Sequence, residues 1–140
     1  MKSIKLIFLF LLLVLFYGFN SPIFAQNGPV LYFCEKYDSD SGEKGISDRF
    51  STGYLTVMVK CDYALGLKDC HIQFDIWNPS TKKFDFYKKF DYKIEADMSY
   101  VFFARTKESD LSFDEPGIYR VFLLDENDET VASSLIQIIP

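Results

Sequence analysis

Alternation of apolar and polar residues with a period of two runs through most of the chain after residue 26. In residues 70–77 the even positions are Cys, Ile, Phe and Ile, whereas the odd positions are His, Gln, Asp and Trp. A period of two is typical of a strand with one buried face. The pattern predicts seven strands, within residues 30–37, 54–61, 70–77, 84–94, 98–105, 117–125 and 130–139. No segment of the sequence after residue 26 has the apolar spacing of an amphipathic helix, so we predict an all-β fold.

The connections between these segments are rich in turn residues. Residues 38–45 read as a flexible acidic loop, residues 78–81 as a turn and residues 125–129 as an acidic hairpin tip. About seven short strands in about 115 residues are typical of two packed sheets. We therefore predict one domain, residues 26–140, that folds as a two-sheet antiparallel β-sandwich.

The first 25 residues have the three parts of a secretory signal peptide. Two lysines in the first five residues precede an apolar run of 14 residues, 6–19, which is shorter than the ~20 residues of a spanning helix. Ala25 predicts cleavage before Gln26, although Ile23 leaves the exact position open. An uncleaved membrane anchor is the alternative. We expect an exported protein, periplasmic or secreted, without a membrane span after cleavage.

The mature chain is acidic. It has 13 Lys and Arg against 20 Asp and Glu, a formal net charge of −7, so nucleic acid is excluded as a partner. The mature chain has one histidine, three cysteines and no glycine-rich phosphate loop. It therefore lacks the residues that most known catalytic sites require. We therefore expect no catalytic residues and no cofactor.

Residues 114–121, Asp-Glu-Pro-Gly-Ile-Tyr-Arg-Val, resemble the entry to the sixth strand of immunoglobulin-like and fibronectin-like β-sandwiches. In those domains a glycine turn precedes a tyrosine whose hydroxyl bonds back to the preceding corner. The resemblance implies that Tyr119 is this structural corner. Val121 stands where immunoglobulin domains have a cysteine, and Trp77 is out of phase with its apolar neighbours. The resemblance therefore implies a fold class and no activity.

The three cysteines allow a disulfide in an exported chain. Cys61 ends one apolar face and Cys70 begins another, and a bond between them would stabilise the fold by roughly 2.5 to 3 kcal/mol. Two free thiols are the alternative, because the Cα distance must also suit a disulfide. Cys34 shares the phase of apolar neighbours and is predicted to be a buried, inert thiol.

No metal site is predicted. Cys70 and His71 are adjacent, so on a strand their side chains point to opposite faces and can neither share a zinc ion nor form a nucleophile and base pair. Residues 38–42 have the spacing of a calcium loop opening, but Arg49 stands where the closing glutamate is needed. We interpret this segment and residues 125–129 as solvated acidic turns.

The strand at residues 84–94 is predicted to lie at or near a sheet edge. Its even positions are mostly apolar, whereas its odd positions carry charges around Tyr87. Lysines such as Lys89 and Lys93 keep an edge strand from pairing with other chains. Trp77 and Tyr87 fall on predicted polar faces, where they could anchor a protein or stack on a sugar. The candidate interaction surface is therefore Trp77, Tyr87, Lys89 and Lys93.

Together these features favour an exported, non-catalytic β-sandwich that acts as a binding or protein-interaction module at the bacterial cell envelope. Its partner would be an unidentified envelope or secreted protein. The alternative is a carbohydrate-binding accessory domain that binds a glycan through exposed aromatic side chains.

Overall fold

The computed structural model describes residues 28–140. The predicted signal peptide, residues 1–25, and its cleavage point lie outside the described residues. Among those described there is no helix, so none is long and apolar enough to cross a membrane. The strands are β1 (Val30–Cys34), β2 (Lys36–Asp38), β3 (Gly42–Lys44), β4 (Arg49–Ser51), β5 (Gly53–Tyr54), β6 (Thr56–Lys60), β7 (Asp69–Asn78), β8 (Lys83–Lys93), β9 (Tyr100–Phe103), β10 (Ser112–Phe113), β11 (Gly117–Leu124) and β12 (Thr130–Ile139).

The all-β prediction is confirmed, and the seven predicted segments overlap, in order, the strands β1, β6, β7, β8, β9, β11 and β12. The predicted number of strands was too low. The additional strands, β2, β3, β4, β5 and β10, are two or three residues long. A period of two cannot be recognised over so few residues.

Two larger sheets carry the fold. One has five strands in the order β4-β12-β11-β7-β8, and the other has three in the order β1-β6-β9. Two short pairs, β10-β5 and β2-β3, complete the architecture. The pairing is antiparallel except between β4 and β12, which are parallel. The prediction of purely antiparallel sheets is wrong at this edge, because β4 and β12 are distant in sequence and no tight turn imposes an antiparallel orientation.

The core lies between the facing sides of the two larger sheets. The three-stranded sheet contributes Phe33 and Phe103, and the five-stranded sheet contributes Phe74 and Tyr119, all of them at most 1% exposed. Over most of their length β7 and β11 bury every second residue, which is the alternation that the sequence shows. These packed sheets, together with the corner described below, form an immunoglobulin-like β-sandwich.

Residues 38–45 do not form the flexible loop that their composition predicts, because β2 and β3 pair there as a hairpin. The Asp38 carboxylate accepts hydrogen bonds from the Ser41 hydroxyl and from the backbone amides of Asp40 and Ser41, which holds the turn and lowers the pKa of Asp38. Tyr37 of this hairpin stacks on Phe102 of β9 at 4.5 Å. The hairpin therefore covers part of the outer side of the three-stranded sheet.

A hydrogen bond also joins the hairpin to the three-stranded sheet. The Tyr32 hydroxyl donates to Glu43 Oε1 at 2.5 Å. Hydrogen bonds from Tyr100 and Tyr32 lower the pKa of the Glu43 carboxyl to about 2. Hydroxyl donors thus keep this carboxylate charged and attach the hairpin to β1 of the three-stranded sheet.

Tyr119 forms a tyrosine corner at the start of β11. Its side chain is fully buried, and its hydroxyl donates to the carbonyl oxygen of Glu115 at 2.7 Å. Its ring packs edge to face on Tyr87 and Phe113, at centroid distances of 5.4 and 5.1 Å. Burial raises the pKa of the hydroxyl, so it remains protonated and able to donate.

Replacing Tyr119 with phenylalanine is expected to lower the free energy of unfolding by about 1 to 2 kcal/mol, because the buried Glu115 carbonyl loses its donor while the ring packing remains. Urea denaturation measures this difference. Tyr54→Phe is the matched control, because Tyr54 is 50% exposed and should lose little. Equal denaturation midpoints for the two variants would contradict a stabilising corner.

Candidate functional site

β8 is the edge strand of the five-stranded sheet and pairs there with β7, so the prediction of an edge position is confirmed. The register of this pair shifts between Phe74 and Asp75: Phe74 lies opposite Lys88, whereas Asp75 lies opposite Phe86. Tyr87 is therefore the extra residue of a β-bulge. A bulge changes the phase of the side chains on one side of it.

The bulge overturns the predicted position of Tyr87. Tyr87 turns towards the core, where its ring meets Tyr119 and its hydroxyl lies 3.4 Å from Asp114 Oδ2. Phe86, predicted to be inward, is 64% exposed on the outer face. Strict alternation would have placed Phe86 on the inner face and Tyr87 on the outer face. The extra residue in β8 reverses these two positions.

Lys88 also points towards the inner side at the bulge. Its ammonium donates to the Asp114 carboxylate, to the Ser112 carbonyl at 3.3 Å and to the Ser112 hydroxyl at 3.2 Å. The bond from Lys88 lowers the pKa of Asp114. These contacts attach β8, at the bulge, to Ser112 of β10 and to Asp114, the residue after β10.

A continuous row of side chains crosses the outer face of the five-stranded sheet. Phe86 lies opposite Asp75, Asp75 lies opposite Arg120, and Arg120 lies opposite Leu135. Residues paired in this way share one face. The ends of the row are apolar and exposed, at 64% for Phe86 and 55% for Leu135, whereas its centre is an ion pair.

More apolar side chains surround this row. Trp77 packs edge to face on Phe84 at 5.2 Å, and Ile118, two residues before Arg120 on β11, is 44% exposed. Phe122 lies two residues after Arg120 and shares its face. Together these side chains form the apolar face: Trp77, Phe84, Phe86, Ile118, Phe122 and Leu135.

Arg120 is held at the centre of the apolar face. Its guanidinium carbon lies 4.7 Å from the ring centroids of both Phe84 and Phe122, and Nη2 lies 3.1 Å from Asp75 Oδ2. Gln73 Nε2 donates to the other Asp75 oxygen at 2.9 Å. Arg120 Nε is buried and has no hydrogen-bond partner among the described residues. The arginine is therefore pre-positioned with part of its donor capacity unused.

The other end of the same outer face is charged. Lys89 pairs with Asp128 at 2.5 Å, and His71 Nδ1 lies 2.7 Å from Asp91 Oδ1. Lys93, near the end of the strand, has a side chain that is 88% exposed. Of the predicted interaction surface, Trp77, Lys89 and Lys93 lie on this outer face and Tyr87 does not. Sequence alternation missed Phe84, Phe86 and Arg120.

A cleft of about 650 Å³ opens beside this charged end, between the β7–β8 ladder and residues 106–108. Cys70 and His71 both line it, but the Cys70 side chain is fully buried and burial raises the pKa of its thiol to about 11. A thiol that remains protonated is a poor nucleophile. Among residues 28–140 no group of His, Cys, Asp and Glu is placed to hold a metal ion.

The structure contains free thiols at Cys34, Cys61 and Cys70, not the disulfide considered between Cys61 and Cys70. Cys61 follows β6 of the three-stranded sheet, and its amide donates to the Ser99 carbonyl at 2.8 Å. Cys70 belongs to β7 of the other sheet. β6 and β7 follow each other in the chain but belong to different sheets, and no disulfide joins Cys61 to Cys70. Cys34 is buried, and burial raises its thiol pKa.

Comparison with known proteins gives no family model and no curated sequence that matches the chain. Among solved structures, the chain is similar to an immunoglobulin-like protein from Pseudomonas aeruginosa. The two are 10% identical, the similarity covers 82% of this chain and 99% of that chain, and the TM-score is 0.45. By its own two packed sheets and its tyrosine corner, the chain is an immunoglobulin-like β-sandwich.

Proposed function

We propose that the protein is an exported, non-catalytic interaction module of the bacterial cell envelope, which binds a protein partner through the apolar face. The observation that carries this proposal is the exposure of Phe86. At 64% it is the most exposed large apolar side chain that the structure describes, and it lies in one row with Arg120 and Leu135.

The chemistry of the apolar face supports protein recognition. Soluble monomers seldom expose several large apolar side chains side by side. Aromatic residues and arginine carry much of the binding energy at protein interfaces, especially where a charged group is surrounded by apolar contacts. Arg120, flanked by Phe84 and Phe122, loses little conformational freedom when a partner binds.

Export is proposed from the sequence of the first 25 residues. The charged start, the apolar run and Ala25 have the order and lengths of a cleavable signal. Absence of catalysis is proposed because two candidate groups that line the cleft are unsuited to it: His71 Nδ1 is hydrogen-bonded to Asp91, and burial raises the pKa of the Cys70 thiol.

Site-specific photo-crosslinking in exporting cells tests the proposal. A photoreactive residue at Phe86 should give a covalent adduct with a protein. The matched control is the same substitution at Phe102, which is 49% exposed on the three-stranded sheet. Adducts at both positions, or at neither, would contradict a partner specific to the apolar face, and mass spectrometry identifies what is captured.

Carbohydrate binding is the second candidate, because Trp77 is 37% exposed and adjoins Phe84 on a flat sheet face. Trp77 is the single tryptophan of the chain, so its fluorescence reports directly on this position. A saturable change in fluorescence on titration with envelope glycans, without adducts at Phe86, would favour this function over protein binding.

A further inference from the structure

We propose that the partner on the apolar face is a second copy of this chain, in an isologous dimer whose twofold axis runs along the strands between β7 and β11. This inference rests on the proposal that the apolar face is a protein-binding surface, and it names the partner.

The register of the sheet makes the apolar face self-complementary about this axis. Rotation by 180° lays β8 of one copy over β12 of the other and β7 over β11, because β7 and β11 are neighbours at the centre of the four long strands. Phe86 then lies over Leu135 of the second copy. The two ends of the row are its most exposed side chains, and each would cover the other.

The centre of the row is also complementary in charge. Asp75 of one copy lies over Arg120 of the second copy, and Arg120 lies over Asp75, so opposite charges alternate around the axis. The Arg120 side chain is 42% exposed, so it can reach across an interface while it keeps its bond to its own Asp75. Like charges would meet only diagonally, which favours this pairing.

A twofold axis across the strands would be unfavourable. Apart from Phe122, which is level with Lys89, the apolar face lies towards the β7–β8 turn, whereas His71, Lys89 and Lys93 lie towards the other end of the strands. Rotation about the axis along the strands places the apolar end of one copy's sheet over the apolar end of the other copy's sheet, and the charged end over the charged end. Rotation about an axis across the strands would bury charged groups against Trp77 and Phe86 without partners.

The whole outer side of the four long strands, including the charged end beside the apolar face, is large enough for a weak dimer. Four strands at ~4.8 Å spacing and about ten residues at ~3.3 Å give roughly 600 Å² for each copy. Two such faces bury about 1,200 Å², the lower end of specific interfaces. Dimerisation is therefore expected at micromolar concentrations and not at nanomolar ones.

Sedimentation equilibrium of the protein recovered after export, at up to about 100 µM, tests the dimer. The parent chain should show a concentration-dependent mass approaching twice that of the monomer. Phe86→Asp and Leu135→Asp should each raise the dissociation constant at least about tenfold, because each puts a charge where two exposed apolar side chains cover one another in the dimer. Phe102→Asp is the matched control and should dimerise as the parent does, since Phe102 lies on the other sheet.

The orientation has its own test. The double variant Phe86→Cys, Leu135→Cys should form disulfide-linked dimers under mild oxidation, because the two positions face each other across the axis. Phe86→Cys alone should not, because its two copies lie on opposite sides of the axis. Near-ultraviolet circular dichroism confirms that each variant remains folded.

The outcomes separate this inference from the proposed function. A parent chain that stays monomeric at 100 µM, or a dimer unaffected by Phe86→Asp, overturns the dimer. If the photoreactive residue at Phe86 nevertheless captures a different protein, the interaction module stands and the second copy is the wrong partner. Crosslinks between two copies of the chain at Phe86, together with a dimer that depends on Phe86, support both the interaction module and the dimer.

Discussion

Replacing Phe74 with alanine will lower the free energy of unfolding by about 3 to 5 kcal/mol, the usual cost of removing a fully buried aromatic ring from a core. Phe74 is 0% exposed and packs on Phe113 at a centroid distance of 4.8 Å and on Phe90 at 6.2 Å. It belongs to the close-packed core cluster, which relaxes only partly into a cavity.

Phe86→Ala is the control for this substitution, because the two phenylalanines lie on neighbouring strands and differ in burial. Phe86 is 64% exposed, so its loss should change stability by less than about 0.5 kcal/mol at concentrations where the protein is monomeric. Urea denaturation followed by circular dichroism measures both. Similar midpoints for the two variants would mean that Phe74 is not in the core.

Replacing Arg120 with methionine will lower the free energy of unfolding by about 2 to 3 kcal/mol. The Asp75 side chain, which is only 10% exposed, then loses its cation. Breaking a fully buried pair costs about 3 to 5 kcal/mol, and the partial exposure of Arg120 reduces the figure through solvent screening. Two cation–π contacts, to Phe84 and Phe122, are lost as well.

A double-mutant cycle isolates the contribution of this ion pair. Adding Asp75→Leu to Arg120→Met removes the unpaired charge and should recover much of the lost stability, since a pair replaced by apolar side chains is often neutral. Arg105→Met is the matched control, because Arg105 is exposed over the Tyr54 ring and should change stability little. Additive effects of the two substitutions would show that Asp75 and Arg120 are not coupled.

Local alternation was sufficient to locate the main strands. Each predicted segment overlaps a strand because burying one face of a strand requires apolar residues at every second position. The same reasoning placed Trp77 outward, since it breaks the phase of Ile72, Phe74 and Ile76. The charges of β8 predicted its edge position, because unpaired edges need protection from other chains.

The candidate site was only partly predictable, and the reason is one residue. Apart from Lys88, the pattern of β8 is compatible with alternation in which Phe84 and Phe86 are buried and Tyr87 is exposed. The bulge opposite Phe74 exchanges these positions, and the only sign of it in the sequence is Lys88, the one charged residue at the even positions of the strand. A bulge depends on the partner strand and on what packs behind it, here Tyr119 and Asp114.

The sequence alone determined the secondary-structure class, the phase of most strands and the tyrosine of the corner, because these depend on neighbouring residues in the chain. Tertiary structure decided which strands pair, where the register shifts and which thiols stay apart. Cys61 and Cys70 are close in sequence yet belong to different sheets, whereas Arg120 and Asp75 are 45 residues apart and form an ion pair. Such contacts depend on how the sheets close over a shared core, and that closure is a property of the whole chain.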